Sequence, residues 1–135
     1  MQKTGIRHEP SSALKGNETV LVVDDIESVR SLLNNVLRVF GYNVICAEDG
    51  MDGLEKFREN KDKINLMLLD IVMPGLNGIE LLKEINKTEP NIKALFMSGY
   101  NEIFDCDNLQ GKIKCISKPF AIETLLKEIR YVLDN

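Results

Sequence analysis

In 135 residues the chain has no tryptophan, one histidine and only three cysteines. The cysteines, Cys46, Cys106 and Cys115, are odd in number and lack C-x-x-C spacing, so they read as reduced thiols and exclude a disulfide framework or zinc site. The histidine, His8, lies in a leading segment with little apolar periodicity. No apolar run approaches the roughly 20 residues that span a bilayer, and the opening Met-Gln-Lys-Thr-Gly lacks a signal peptide's apolar core. Cytoplasm is the expected location, with no membrane contact by the chain itself. A basic excess is also missing. The net charge is −4, spread along the chain, which argues against nucleic acid or an anionic membrane as the main partner. If the chain signals, it signals to protein.

What is present is ordinary in bulk, with 44% hydrophobic and 28% charged residues, as for one soluble globular domain. Residues 1–17 hold Pro10, Ser11-Ser12 and two glycines and read as a flexible linker or tail, leaving 18–135 as the domain. From there apolar strands and amphipathic helices alternate. Thr19-Val20-Leu21-Val22-Val23 and Ile64-Asn65-Leu66-Met67-Leu68-Leu69 read as strands buried on both faces. Further strands are expected over 42–47, 92–97 and 113–116. A first helix follows Asp25, its expected N-cap, with Ile26, Val29, Leu33, Leu37 and Phe40 inward and Gly41 as terminator. Others are expected over 50–60 (Leu54 and Phe57 inward), after Pro74-Gly75 (Ile79, Leu82 and Ile85 inward) and at the end, with a wide stripe from Ile122 to Leu133. Residues 100–112 carry a weaker pattern, limited to a short helix by Asp107-Asn108 and Gly111.

Strand–helix alternation in five units predicts an α/β domain: a doubly wound, five-stranded parallel sheet with helices on both faces. In such sheets the ligand crevice lies outside the carboxyl ends of the strands. Asp24, Asp25, Asp70, Ser98 and Lys118 all fall there.

Each of these has a bland reading taken alone. Asp25 caps a helix, Asp24 is a solvated neighbour, Asp70 opens a turn, Ser98 marks a strand exit and Lys118 is a surface charge. Together they imply more. Three carboxylates at one rim repel by about 4 kcal/mol per pair at ~4 Å and an effective dielectric of ~20. Such a cluster needs a divalent cation. Mg²⁺ suits it better than Ca²⁺, because Mg²⁺ is held by one or two carboxylates plus phosphate oxygens and keeps several waters. A carboxylate can accept a phosphoryl group as an aspartyl phosphate. Asp70 is placed for this, with Lys118 and the hydroxyl of Ser98 neutralising the phosphoryl oxygens.

The chain from residue 18 onward resembles the receiver domain of bacterial two-component response regulators. The pieces that carry the resemblance are Leu21-Val22-Val23-Asp24-Asp25, Leu69-Asp70-Ile71-Val72-Met73-Pro74-Gly75, Met97-Ser98-Gly99-Tyr100 and Ser117-Lys118-Pro119-Phe120. It implies a flavodoxin-like sheet of order 2-1-3-4-5 and Asp70 as phosphoacceptor. Mg²⁺ would be bound by Asp25, Asp70 and the backbone carbonyl of Val72, and by Asp24 mainly through water. A cis Lys118-Pro119 bond is implied too. The phosphoryl donor would be a phosphohistidine on a histidine kinase or histidine phosphotransfer protein. Homodimerisation or docking is implied through the fourth helix, the fifth strand and the fifth helix. Glu18-Thr19-Val20-Leu21-Val22-Val23-Asp24-Asp25 and Phe96-Met97-Ser98-Gly99-Tyr100 look most like receivers fused behind sensor histidine kinases.

Three positions depart from the family's pattern, one being Ile26, where many members carry an acidic residue. Cys115 stands three residues before the lysine, where members usually carry a switching Tyr or Phe, which moves the expected switch to Tyr100 and residues 101–112. Val72, two residues after Asp70, offers the hydrolytic water no hydrogen bond and implies a long-lived phosphoryl group. The expected activity is a phosphorelay acceptor rather than an enzyme with external turnover. The rivals are an unphosphorylated pseudo-receiver acting as an interaction module, and a flavodoxin-like cofactor binder or small hydrolase. The last is opposed by two carboxylates where a phosphate-cradling loop would be needed.

Overall fold

A computed structural model describes residues 12–99 and 114–135. A single 3₁₀ turn, Ser12–Leu14, precedes β1 (Thr19–Val23), α1 (Glu27–Val39), β2 (Asn43–Ala47), α2 (Gly50–Asn60), β3 (Ile64–Asp70), α3 (Gly78–Asn86), β4 (Lys93–Ser98), β5 (Lys114–Ser117) and α4 (Ile122–Asp134). The strands form one sheet of order β2-β1-β3-β4-β5, parallel throughout. This is the expected architecture and order.

The continuous apolar runs are explained by the period-2 alternation of strand side chains. Leu21, Val23, Met67, Leu69 and Phe96 pack with Leu54 and Phe57 of α2 and Leu81, Leu82 and Ile85 of α3. Val20, Val22, Leu66, Leu68, Leu95 and Met97 pack instead with Leu33 and Leu37 of α1 and Leu125, Leu126 and Ile129 of α4. With both faces covered, a central strand has no polar side to show. Truncating one of these residues, as in Leu68→Ala, would cost about 2–5 kcal/mol. Among the described residues no helix is long and apolar enough to cross a membrane.

Local chemistry sets the ends of the elements. Asp49 caps α2 by accepting the Asp52 N–H at 2.8 Å. Asn77 and Glu80 close a reciprocal capping box on α3. Gly41, at φ +99°, ends α1 as expected. The outward carbonyls of β2 are covered by basic side chains, Val44 O by Arg38 at 3.0 Å and Cys46 O by Lys56 at 3.1 Å. Capping of this kind protects a sheet margin from pairing with another chain.

The start of α1 departs from expectation. The helix begins at Glu27 with Ile26 as its N-cap residue and no side-chain cap. Asp25 is not the cap, and Ile26 is 49% exposed rather than inward. The cause is Asp24, whose Oδ1 accepts the Ile26 N–H at 2.9 Å and closes the turn one residue earlier. Leu81, absent from the expected inward set of α3, is fully buried beside Leu82.

Residues just ahead of β1 pack against the domain. Leu14 lies on the α1/α4 core and the Gly16 N–H donates to Phe40 O at 3.0 Å. Arg130 of α4 grips Glu18 with two hydrogen bonds, at 2.8 and 3.0 Å, and donates to Tyr42 Oη at 3.1 Å.

Candidate functional site

Strand order alone assembles the site. Asp24 follows β1 and Asp70 ends β3, and those strands are neighbours with Val23 opposite Leu69. β4 lies against β3 with Met97 opposite Asp70, and β5 against β4 with Ser98 opposite Ser117. Lys118 is the next residue. The rim is tied by backbone bonds from Asp24 N to Ala47 O, Ile71 N to Met97 O and Lys118 N to Ser98 O, at 3.2, 3.1 and 2.7 Å. The Lys118-Pro119 peptide is cis, as expected.

Asp24, Asp25 and Asp70 each offer a carboxylate oxygen within 4.8 Å of the others. Asp24 is wholly buried and Asp70 is 4% exposed, while Asp25 faces solvent. The Lys118 ammonium lies 2.7 Å from Asp24 Oδ2 and 3.4 Å from Asp70 Oδ1. Burial works against that charge, but the hydrogen bond it donates to Asp24 and the fields of Asp24 and Asp70 outweigh it and raise the lysine pKa above 10.5. Three carboxylates against one ammonium leave a net negative pocket with an open, exposed side at Asp25. Hard oxygen donors in that arrangement suit a small divalent cation.

Ser98 is half-buried at the same rim, and Val72 is 55% exposed two residues past Asp70. Tyr100 and residues 101–112, to which the switch was assigned, lie outside the described residues. Cys115 corrects the reading of three reduced thiols: it is disulfide-bonded, whereas Cys46 is free. Spacing rules for C-x-x-C motifs could not show this, because a disulfide depends on approach in space rather than in sequence.

Two contributors escaped the sequence reading. Gly78, at the first position of α3, lies so close to the Asp70 carbonyl that a Cβ there would sit 2.2 Å from Asp70 O. It lets the capped end of α3 close on the end of β3. Arg30 of α1 donates to the backbone carbonyl of Asp24 at 2.8 Å. Neither contact leaves a periodicity signal, since both are backbone approaches between segments.

The response regulator receiver domain model matches residues 20–130. The chain belongs to this family. Sensor kinase CckA of Brucella abortus is 35% identical over 94% of this chain, and sporulation initiation phosphotransferase F of Bacillus subtilis is 34% identical over 87% of it. The chain spans 94% of the length of the latter but 14% of CckA, and 50% of a Haemophilus influenzae transcriptional regulatory protein, a CpxR homolog. Among solved structures, chemotaxis protein CheY4 of Vibrio cholerae superposes with a TM-score of 0.76 at 30% identity, over 87% of this chain and all of that one. The receiver domain of the hybrid histidine kinase CckA gives 0.73 at 30% identity, over 85% of this chain and 98% of that one. The phosphoacceptor role of receiver domains in two-component systems therefore applies to this chain at the level of the family.

Proposed function

We propose that the chain accepts a phosphoryl group on Asp70 from a phosphohistidine of a partner protein, a histidine kinase or a histidine phosphotransfer protein. An Asp70 carboxylate oxygen attacks phosphorus as the P–N bond breaks, and the departing imidazole is left neutral after taking up a proton. Asp25, Asp70 and the Val72 backbone carbonyl would hold Mg²⁺, with Asp24 contributing through water. When bound, Mg²⁺ supplies charge neutralisation for the phosphoryl oxygens. Lys118 supplies a fixed positive charge on the other side, and the Ser98 hydroxyl donates to a phosphoryl oxygen. Asp24 holds Lys118 in place through the 2.7 Å ion pair.

One observation carries this reading: three convergent carboxylates, two of them buried, faced among the described residues by Lys118 at the end of the sheet. The chain's catalysis would be confined to its own phosphorylation and dephosphorylation. It would act in the cytoplasm, where phosphohistidine donors draw on ATP. The 35% identity to CckA across 94% of this chain supports an origin in a bacterial hybrid sensor kinase. Docking or self-association would use β5, α4 and the segment between β4 and β5.

The test is incubation with acetyl phosphate and Mg²⁺, followed by intact mass. A gain of one phosphoryl group that is absent in Asp70→Asn supports the reading. An unchanged mass supports the second one, an unphosphorylated interaction module, for which the loss of the switching aromatic at Cys115 speaks.

A further inference from the structure

Asp24 uses every polar atom it has. Its N–H donates to Ala47 O at 3.2 Å, its Oδ1 accepts the Ile26 N–H at 2.9 Å and its Oδ2 takes the Lys118 ammonium at 2.7 Å. Its carbonyl accepts Arg30 Nη1 at 2.8 Å. The first three partners are backbone groups or the lysine of the site. Arg30 is different, because no step of phosphoryl transfer requires it. It lies in the first turn of α1, anchored by its own N–H to Ile26 O at 3.1 Å, and it is half-buried.

The carbonyl that Arg30 grips belongs to the peptide joining Asp24 to Asp25. That peptide is planar, so fixing its oxygen fixes the direction in which the Asp25 Cα leaves it. Asp25 needs such control: it is exposed, and among the described residues no side chain bonds its carboxylate. We infer that Arg30 is a positioning residue for the cation site, holding the Asp24–Asp25 peptide so that the Asp25 carboxylate converges with that of Asp70. The inference rests on the reading of this rim as a Mg²⁺ site.

Positioning and charge make opposite demands here, which renders the inference testable. A guanidinium beside an acidic cluster repels a divalent cation, so a mere charge effect predicts tighter Mg²⁺ binding once Arg30 is removed. Loss of positioning predicts weaker binding, and groups that orient metal ligands typically contribute about 10–100-fold in affinity. The experiment titrates the full chain with Mg²⁺ by NMR amide shifts, in wild type, Arg30→Met and Arg30→Lys, with a thermal melt in EDTA for each. Arg30→Met is expected to bind about tenfold more weakly. Arg30→Lys is expected to recover part of the loss, since an ammonium can still donate to one carbonyl. The metal-free melts should stay within a few degrees of one another. Equal or tighter binding by Arg30→Met overturns the inference while wild-type binding leaves the Mg²⁺ site intact. Wild type that binds no Mg²⁺ overturns both. Should Arg30→Met fail to fold, Arg30→Lys decides: affinity equal to wild type with an unmoved Asp25 amide resonance sinks the inference.

Discussion

Lys118 is held closer to Asp24, at 2.7 Å, than to Asp70, at 3.4 Å. The lysine is thus anchored on Asp24, and Asp70 keeps a weaker claim on it. With the carboxylate oxygens within 4.8 Å of one another, each of the two repulsions felt by Asp70 is worth about 3.5 kcal/mol or more, against an attraction of about 5 kcal/mol to Lys118, at an effective dielectric of ~20. Solvent at the exposed Asp25 screens its share, so these three interactions alone put a net penalty of about 1–2 kcal/mol on Asp70 in the metal-free protein. The site stores negative charge that a cation relieves.

Asp70→Asn should therefore stabilise the metal-free protein by about 1–2 kcal/mol, a rise of roughly 3–8 °C in melting temperature for a domain of this size. Mg²⁺ should raise the wild-type melting temperature in proportion to the logarithm of its concentration and leave Asp70→Asn almost unmoved. Melts in EDTA and across a Mg²⁺ series check both. A drop in stability for Asp70→Asn without metal would contradict the electrostatic account.

Stability at alkaline pH tests Lys118. Its pKa is raised above the ordinary 10.5 in the fold, so its contribution is fully present below about pH 10.5 and is lost as pH rises through the higher folded value. Lys118→Met leaves Asp24 buried without its partner and should cost about 3 kcal/mol at neutral pH. That gap to wild type should hold to about pH 10 and close above the ordinary lysine value, as urea unfolding from pH 8 upward would show. Cys46 and Tyr42, whose pKa values are raised chiefly by burial above 9.0 and 10.0, titrate in the same limb in both proteins. They cancel in the difference.

The sheet and the rim were legible because both write themselves into one-dimensional patterns. Apolar runs such as Leu66–Leu69 announce strands covered on both sides, and a polar residue at the end of each run marks the rim. The start of α1 was not legible. Asp25 is a good cap by residue type, and only the bond from the Ile26 N–H to the buried Oδ1 of Asp24 sets the helix start at Glu27 without a side-chain cap. The grip of Arg30 on Asp24 and the seat of Gly78 under Asp70 were hidden for the same reason. Both are contacts to backbone atoms, which every residue carries and no sequence pattern displays.

The clamp ahead of β1 makes an acid-side prediction. Arg130 holds the Glu18 carboxyl below its ordinary 4.5, mainly through their hydrogen bonds. A lowered carboxylate stabilises above its unfolded pKa and loses that contribution as pH falls through the folded one. Glu18→Gln should thus cost about 1–2 kcal/mol at pH 7 and flatten the loss that begins below about pH 4.5. Asp134, also lowered by Arg130 but fully exposed, should alter the acid limb little. A Cβ at Gly16 would lie 2.4 Å from the Tyr42 ring and 2.5 Å from both Arg130 and Glu18, so the clamp must shift to admit one. Gly16→Ala should therefore speed tryptic cleavage at Lys15.

Phosphoryl lifetime tests Val72. Hydrolysis of an aspartyl phosphate needs a water lined up behind phosphorus, and a polar side chain near that line can orient it. Val72 is 55% exposed at the rim beside Asp70 and has neither a donor nor an acceptor in its side chain. Val72 therefore gives that water no hydrogen-bond partner. Val72→Asn supplies both kinds of group at similar size and should shorten the lifetime of the Asp70 phosphoryl group by about tenfold, below the ~10²–10⁴ of a fully positioned acid or base. The rate of phosphorylation by acetyl phosphate should change less, because that step uses no water. Decay followed by intact mass after removal of acetyl phosphate separates the two. Equal lifetimes would show that hydrolysis is limited by access to the pocket rather than by orientation of the water.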